Sequence, residues 1–192
     1  MAVTSVDIAN EALQLMGGNQ PALAGEFPNF TGNSALANAA NLLYGPCVAA
    51  VGRQFAWDFA RSTAALALSG NVAPYPWTLE YLYPDGAIEV WQVFPATETD
   101  PNDPLPVNYV TANAGVGAPQ VQRRVIHTNL ADALCIFNNN PAASTWDSTF
   151  RAAVVRLLAS EFAMAIGGKP DTMQTLLESG SAFEQVAEAR RD

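Results

Sequence analysis

The distribution of proline restricts the fold of this chain more than any other feature of its sequence. Nine of the thirteen prolines fall between Pro74 and Pro141, which leaves two flanks with little proline. Proline lacks a backbone donor and clashes with the preceding helical turn, so helices rarely run through a region that is rich in it. We therefore expect helices in the two flanks and a different structure in the middle.

The first flank predicts a helix close to the start of the chain. Thr4 is a good N-cap, and Asp7 stands three residues later in the capping-box position. Gly17 and Gly18 are expected to end this helix. Its apolar residues recur at helical spacing, namely Val6, Ala9, Leu13 and Met16. The mixture of Gly, Pro, Asn and Phe over residues 18–32 predicts a loop.

A second and longer helix is predicted to begin near Asn33 or Ser34. Its apolar positions are Leu36, Ala40, Leu43, Cys47, Ala50 and Val51. Pro46 lies inside this helix and should kink or split it. The apolar stretch from Phe55 to Leu68 extends the predicted helical region to about residue 69.

The proline-rich middle predicts β-strands. Leu79, Tyr81 and Tyr83 alternate with other residues, and residues 88–94 are rich in β-branched and aromatic side chains. Asp85-Gly86 between these two runs is a turn signal typical of a hairpin. Residues 97–106 and 112–119 are turn-rich. Three further segments are candidate partner strands, namely Val107 to Thr111, Val121 to Thr128 and Ala133 to Phe137.

The second flank again predicts helices. Ser144 or Thr145 is expected to cap a helix that ends at Gly167-Gly168. The apolar residues of this helix include Trp146, Phe150, Val154, Leu157 and Phe162. A last helix is expected over residues 171–189, with Met173, Leu176, Leu177, Phe183 and Val186 as its apolar residues.

These elements predict a mainly α (α+β) fold: a helical bundle built from the N- and C-terminal helices, with a central proline-rich β insertion. We expect one domain over residues 1–192, with helical parts at about 4–69 and 144–189 and the β-rich insertion at about 75–140. The length is sufficient for one sizeable hydrophobic core.

Charge is scarce and mainly negative. Charged residues make up 14% of the chain, against roughly 25% in an average soluble domain. Much of the surface is therefore neutral polar or apolar. The 14 asparagines explain part of this, and the other explanation is that protein neighbours cover much of the surface. The net charge of −9 argues against an autonomous nucleic-acid-binding protein, because such proteins need a basic face.

The sequence offers little for catalysis or metal binding. His127 is the only histidine, and a lone histidine beside Arg123 and Arg124 in a strand is typical of a surface or interface residue. Cys47 and Cys135 are too far apart for a metal motif. Nucleophile-elbow, dinucleotide-binding and P-loop motifs are missing. We expect no catalytic, metal-binding or cofactor-binding residue, although a pair of acidic residues brought together by folding would still permit a hydrolase.

Nothing in the sequence predicts secretion or a membrane partner. The first residues lack the basic and apolar regions of a signal peptide, and the stretch from Ala152 to Gly167 is too short and too charged to span a bilayer. Trp57-Asp58 and Trp146-Asp147 occur without the period of a propeller repeat, so both tryptophans are predicted to lie in helix cores.

An ordered set of motifs covers nearly the whole chain. In chain order the motifs are Asp7-Ile8-Ala9-Asn10-Glu11-Ala12-Leu13, Leu43-Tyr44-Gly45-Pro46 before Trp57-Asp58-Phe59-Ala60, Pro76-Trp77 before Tyr83-Pro84-Asp85-Gly86, and Trp146-Asp147-Ser148-Thr149-Phe150. The set resembles the head-tail connector (adaptor) proteins of tailed bacteriophages, the tail tubular protein A-like family. The resemblance implies that Tyr44, Trp57, Phe59, Trp77 and Trp146 are core residues of the family motifs.

The resemblance implies a structural protein without enzymatic activity. It implies a homo-oligomeric ring, typically of twelve subunits, that joins the portal to the tail and extends the DNA channel. The implied partners are other copies of the chain, the portal protein and tail or nozzle proteins. The implied location is the head-tail junction of the virion, and the host cytoplasm during assembly. Arg190, Arg191 and Asp192 are implied to face the portal.

DNA is expected to pass through such a ring without specific binding. Twelve subunits that carry −9 each would surround the channel with negative charge, which repels phosphate groups. Two alternatives stay open at this point. The chain could be a tail-completion or tail-terminator protein of the same virion, or a small hydrolase that uses acidic residues.

Overall fold

The computed structural model of the protein describes residues 3–17, 29–32, 35–98 and 107–165. In these ranges the α-helices are α1 (Ser5–Gly17), α2 (Ala35–Gly52) and α3 (Ser148–Ala165). The strands are β1 (Arg61–Ala65), β2 (Leu79–Leu82), β3 (Glu89–Pro95), β4 (Tyr109–Val116), β5 (Val121–Thr128) and β6 (Ala133–Asn138). Short 3₁₀ helices, Asp58–Ala60 and Ala143–Thr145, precede β1 and α3. The predicted helix over 171–189, the predicted stop at Gly167-Gly168 and residues 18–28 of the predicted loop lie outside the described residues.

The chain divides into two compact units. The helical unit combines the two ends of the chain, Met1–Phe55 and Pro141–Asp192, and the β unit is Ala56–Asn140. The prediction of a mainly α helical bundle is wrong. The described residues form three helices and two three-stranded antiparallel sheets, which is an α+β mix. The physical reason is that the proline-rich middle encloses a hydrophobic core of its own.

The first helix begins as predicted. The backbone N–H of Asp7 donates to Thr4 Oγ1 at 3.2 Å, and the backbone N–H of Thr4 donates to Asp7 Oδ2 at 2.8 Å. This reciprocal pair satisfies backbone donors that a helix start leaves without partners. The predicted apolar face is buried at Ala9 and Leu13 and only half-buried at Val6.

Inside the helical unit, α3 packs against both α1 and α2. Its inward face is apolar, with Phe150, Val154, Leu158 and Phe162 all buried. At the border of α1 and α3, the guanidinium of Arg151 donates to Glu11 Oε2 from Nη2 at 2.6 Å and from Nε at 3.0 Å. This ion pair is more than a third exposed, so solvent screens most of its contribution.

The start of α3 differs from the prediction. Ser144 and Thr145 lie in the preceding 3₁₀ helix, and neither caps α3. The capping residue is Asp147, whose Oδ1 accepts the backbone N–H of Thr149 at 2.7 Å. Asp is a strong N-cap because its side chain accepts such orphan donors, and its charge also suits the positive end of a helix.

The second helix runs through Pro46 without interruption, so the predicted split does not occur. Pro46 is exposed, and so is Leu42, the residue whose carbonyl would normally accept a helical hydrogen bond from position 46. The helix ends at Gly52. The prediction that the helical region continues to about residue 69 is therefore wrong. Residues 61–65 form β1, because their side chains alternate between exposed and half-buried and their backbone pairs with β6.

The β unit consists of two antiparallel sheets with strand orders β1-β6-β3 and β2-β5-β4. Backbone hydrogen bonds connect the sheets on both sides, from Leu82 N–H to Ala67 O at 2.8 Å and from Val107 N–H to Val93 O at 3.0 Å. The enclosed core includes Val93, Ile126 and Cys135, all fully buried. Burying an aliphatic side chain of this kind contributes about 1.5–3 kcal/mol to folding.

The predicted hairpin between residues 79–83 and 88–94 is wrong. Asp85-Gly86 does form a turn, in which Ala87 N–H donates to Pro84 O at 3.2 Å and Gly86 has φ +76°. However, β2 pairs with β5 and β3 pairs with β6, so the turn connects two different sheets. A short turn signal specifies how the chain reverses but does not determine which strands pair.

The segment 112–119 was predicted to be turn-rich, but β4 continues through it to Val116. The register pairs Ala112 with Val125 and Val116 with Val121. The long partner strand β5 therefore draws this glycine- and alanine-rich segment into the sheet. Gly115 fits here because a Cβ atom would lie only 2.9 Å from the side chain of Gln120.

Candidate interaction surface

The only histidine of the chain belongs to a buried hydrogen-bonded pair in the β unit. Glu80 on β2 and His127 on β5 are register partners, and Glu80 Oε2 lies 2.9 Å from His127 Nε2. Because a carboxylate only accepts hydrogen bonds, Nε2 carries the proton in this contact. The two residues are 4% and 6% exposed, so the prediction that His127 is a surface or interface residue is wrong. Their partnership spans 47 residues, which only strand pairing reveals.

The environment of Glu80 favours a fixed carboxylate. Burial by itself raises the pKa of Glu80, but hydrogen bonds from Ser69, His127 and Asn71 outweigh it and hold the pKa below its ordinary value. The second oxygen, Oε1, accepts Asn71 Nδ2 at 2.8 Å. A general base needs an oxygen that a substrate proton can reach. Both oxygens of Glu80 are occupied and buried, so the pair is better suited to holding the β unit together.

The two cysteines are poor nucleophiles. Burial raises the pKa of the Cys47 thiol to about 12, with a further increase from nearby Glu161, and raises the pKa of the Cys135 thiol to about 11. The thiolate is the reactive form, so both side chains stay protonated near neutral pH. In the part of the chain that the structure describes, no group of three or more His, Cys, Asp or Glu side chains is placed to hold a metal ion.

Two of the family-motif residues meet in the helical unit. Tyr44 on α2 stacks on Trp146 with ring centroids 6.3 Å apart, and Phe30 and Phe150 extend this aromatic cluster. The indole N–H of Trp146 donates to Pro141 O at 3.0 Å. Trp146 precedes α3, so its predicted place inside a helix is wrong. Burial raises the pKa of Tyr44 to about 12, as expected for a packing residue.

The other three motif aromatics lie in the β unit. Trp57 and Phe59 contact each other at the 3₁₀ helix before β1, with centroids 6.1 Å apart. Trp57 is thus not a helix-core residue, because α2 has already ended. Trp77 is half-buried, and its backbone N–H donates to Pro74 O at 2.9 Å. The structure therefore divides the five motif residues between the two units.

The residues that the resemblance assigns to portal binding, Arg190, Arg191 and Asp192, lie outside the described residues. Their proposed role stays a prediction.

The loop between β1 and β2 is held to the β unit at both ends. We call residues 69–78 the presenting loop. Asn71 Nδ2 donates to Glu80 Oε1 at 2.8 Å and to Gly115 O at 2.9 Å. At the other end, Asn129 Oδ1 accepts the backbone N–H of Thr78 at 2.8 Å. Gly70 has φ +83°, a conformation that other residues rarely adopt. These contacts fix the course of the loop.

Between its attachments, the presenting loop exposes two large apolar side chains. Val72 is 96% exposed and Tyr75 is 98% exposed. Neither residue was identified from the sequence, although a signal was available, because residues 62–79 contain no charged side chain. A charge-free run with Gly, Asn and Pro predicts a turn-rich loop without surface charge. Exposed apolar groups in such a concentration are typical of interaction sites.

A second uncharged surface lies on α2. We call it the α2 outer face, and its exposed residues are Asn38, Asn41, Leu42, Gly45, Pro46 and Ala50. Leu42 is 72% exposed, and α2 contains no charged residue in its whole length. A solvated helix surface usually carries charged residues, so this face is unusual for one that stays in water.

In one cleft of the β unit, Arg124 makes its contacts within the protein. The cleft is lined by Arg123 and Arg124 and by the turn after β2. The Arg124 guanidinium lies 3.9 Å from the Tyr83 ring centroid, and its Nη2 is 3.7 Å from Glu89 Oε2. A guanidinium with these partners is poorly available to an external anion.

Fold and surface together define an α+β protein whose clearest surface features are two uncharged regions. No protein-family model matches the chain, and no curated protein matches it. No described helix is both long and apolar enough to cross a membrane.

Proposed function

We propose that the protein is a structural subunit of a homo-oligomeric ring at the head-tail junction of a tailed-bacteriophage virion. In this role it joins the portal to the tail and extends the DNA channel. The ordered motifs around Tyr44, Trp57, Trp77 and Trp146 support the proposal through their resemblance to the adaptor family.

The observation that carries the proposal is the exposure of Val72 and Tyr75 on a fixed loop. A loop without a binding role gains nothing by holding two apolar side chains in water, because burying each would be favourable. A chain that works inside a multi-protein assembly has neighbours to cover them. The low charged fraction of 14% supports the same interpretation, since charged residues are depleted where protein surfaces meet.

The arrangement of polar groups in the described residues also favours binding over catalysis. The Glu80–His127 pair is buried and both Glu80 oxygens are occupied. The two thiols are protonated near neutral pH, because burial raises both pKa values. A hydrolase would need an accessible base or nucleophile, and neither the pair nor the thiols provide one.

The test is assembly of the full chain. Native mass spectrometry and electron microscopy should show closed rings, either for the protein alone or after it is mixed with the portal of the same phage. A chain that stays monomeric in both samples contradicts the proposal. Imaging of the virion adds a second criterion. Density for the protein directly below the portal is expected, whereas density at the far end of the tail tube would identify a tail-terminator protein instead.

A further inference from the structure

We propose that the presenting loop of one subunit docks on the α2 outer face of the next subunit. Val72 and Tyr75 would pack against Leu42 and its neighbours in a second copy of this chain. This inference rests on the proposed ring function and names the contact that holds adjacent subunits together.

The presenting loop is organised before it binds. Asn71 attaches it to Glu80 and Gly115, and Thr78 attaches it to Asn129. A loop that already has its bound shape loses little conformational entropy on association. Most of the free energy gained by burying Val72 and Tyr75 therefore contributes to binding, because little of it is offset by ordering the loop.

Charge restricts how two copies of this chain can meet. Each chain carries −9, so two copies repel each other over most of their surfaces. Residues 62–79 and the whole of α2 are uncharged, so these two surfaces can meet without repulsion. They can also meet without stripping water from a charged group, which is costly.

The two surfaces also match in hydrogen bonding. Pro46 has no N–H, so the carbonyl of Leu42 lacks the donor that a helix normally provides four residues later. Leu42 is 72% exposed, and Pro46 is exposed as well. Tyr75 offers the complementary groups, an apolar ring and a hydroxyl donor. The Tyr75 hydroxyl would donate to the Leu42 carbonyl of the neighbour.

The proposed contact joins two different surfaces, because a loop of the β unit meets a helix of the helical unit in another copy. Contacts of this kind repeat from subunit to subunit and close into a ring when the rotation allows it. In a two-fold dimer the same two surfaces would meet twice, loop on helix and helix on loop. The mass of the assembly therefore distinguishes a ring from a dimer.

The first experiment measures the concentration dependence of ring formation by the full chain. Tyr75→Ser and Val72→Ser should each raise the midpoint concentration about tenfold or more, as for buried anchors of an interface. Val121→Ser is the matched control, because Val121 is also an exposed apolar residue of the β unit but lies outside the loop. The variants should unfold at the wild-type temperature, since both side chains are solvated in the free subunit.

The second experiment tests the hydrogen bond with a double-mutant cycle. Tyr75→Phe keeps the aromatic side chain and removes its hydroxyl. Pro46→Ala gives the Leu42 carbonyl a backbone donor within its own helix. Each change should weaken assembly roughly two- to tenfold, the range for one neutral hydrogen bond. Because both remove the same bond, the double variant should be no weaker than the poorer single one. Additive effects would show that Tyr75 does not bond to this carbonyl and would overturn that part of the inference.

The third experiment places the two surfaces in contact covalently. A disulfide forms only when the two Cβ atoms are about 3.5–4.5 Å apart. Oxidation of the assembled Leu42→Cys, Val72→Cys double variant should therefore link neighbouring subunits and give a ladder of covalent oligomers. Each single variant is the control and should give no ladder. The native cysteines are buried and should not interfere.

The outcomes separate this inference from the proposed function. If wild-type protein forms no ring even with its portal, the proposed function fails. If rings form, but the serine variants assemble like wild type and the double cysteine variant gives no ladder, the ring stands and the docking inference is overturned. If Tyr75 became buried only after a tail protein was added, the docking inference would also be overturned, because the loop would then bind that protein.

Discussion

Among single residues, Glu80 connects two parts of the β unit through its carboxylate. Its side chain receives hydrogen bonds from the presenting loop through Asn71 and contacts the central strand β5 through His127. A buried carboxylate is stable only with such partners. The loop and the central strand of one sheet are thus held by one side chain.

We predict that Glu80→Gln destabilises the protein and weakens its response to acid. The folded pKa of Glu80 is lowered, so its charge contributes stability above the ordinary glutamate pKa of about 4.3. That contribution is lost as the pH falls through the folded pKa. The variant should lose about 1–3 kcal/mol at pH 7 and less as the medium becomes acidic. Thermal unfolding from pH 7 down to pH 3 measures both effects.

Asp85→Asn is the matched control for this prediction, because Asp85 is an exposed carboxylate of the same unit. It should unfold like wild type at every pH. Equal acid sensitivity of the Glu80→Gln variant and the wild type would contradict the assignment of Glu80 as the titrating group.

At the scale of elements, the prediction succeeded where local signals determine structure. The capping box at Thr4 and Asp7 forms with the predicted partners. Five of the six strands overlap segments that the β-branched and aromatic pattern predicted. The failures occur where a distant partner decides. Residues 61–65 were predicted to be helical but pair with β6 as a strand. Strand β4 pairs with β5 as far as Val116, beyond the segment that its sequence predicted to be a strand.

The start of α3 provides an element-scale prediction. Asp147→Ala should lower the free energy of unfolding by about 1 kcal/mol, because Thr149 N–H loses its acceptor at the N-terminus of α3. Ser144→Ala should change it by less than about 0.5 kcal/mol, since Ser144 lies in the 3₁₀ helix and is exposed. Chemical denaturation of both variants measures the difference. A larger loss of unfolding free energy for Ser144→Ala than for Asp147→Ala would indicate that Ser144 caps the helix, as the sequence predicted.

At the scale of the whole molecule, two uncharged surfaces occur on a strongly acidic chain. The two surfaces at which the proposed neighbours meet carry no charged residue, whereas the net charge of the chain is negative. In the proposed ring, the negative total would repel the phosphates of DNA that passes through the channel.

We predict that assembled rings do not bind duplex DNA. Fluorescence anisotropy of labelled DNA should stay unchanged on addition of rings, even at low salt, because the net charge of −9 per subunit repels the phosphates. A basic DNA-binding protein measured alongside is the positive control. Binding that weakens steeply with added salt would contradict the prediction and would indicate a lumen lined with arginine.

The sequence by itself determined the features that depend on neighbouring residues: the α1 cap, the helices α1, α2 and α3, most strands of the middle and the scarcity of charge. Tertiary structure decided the rest. It placed β2 and β3 in different sheets, converted residues 61–65 into a strand, and buried His127 against a glutamate 47 residues away. It also showed Val72 and Tyr75 exposed on a loop that distant side chains hold. The physical reason is that caps and turns act over a few residues, whereas strand pairing and burial depend on contacts between distant parts of the chain.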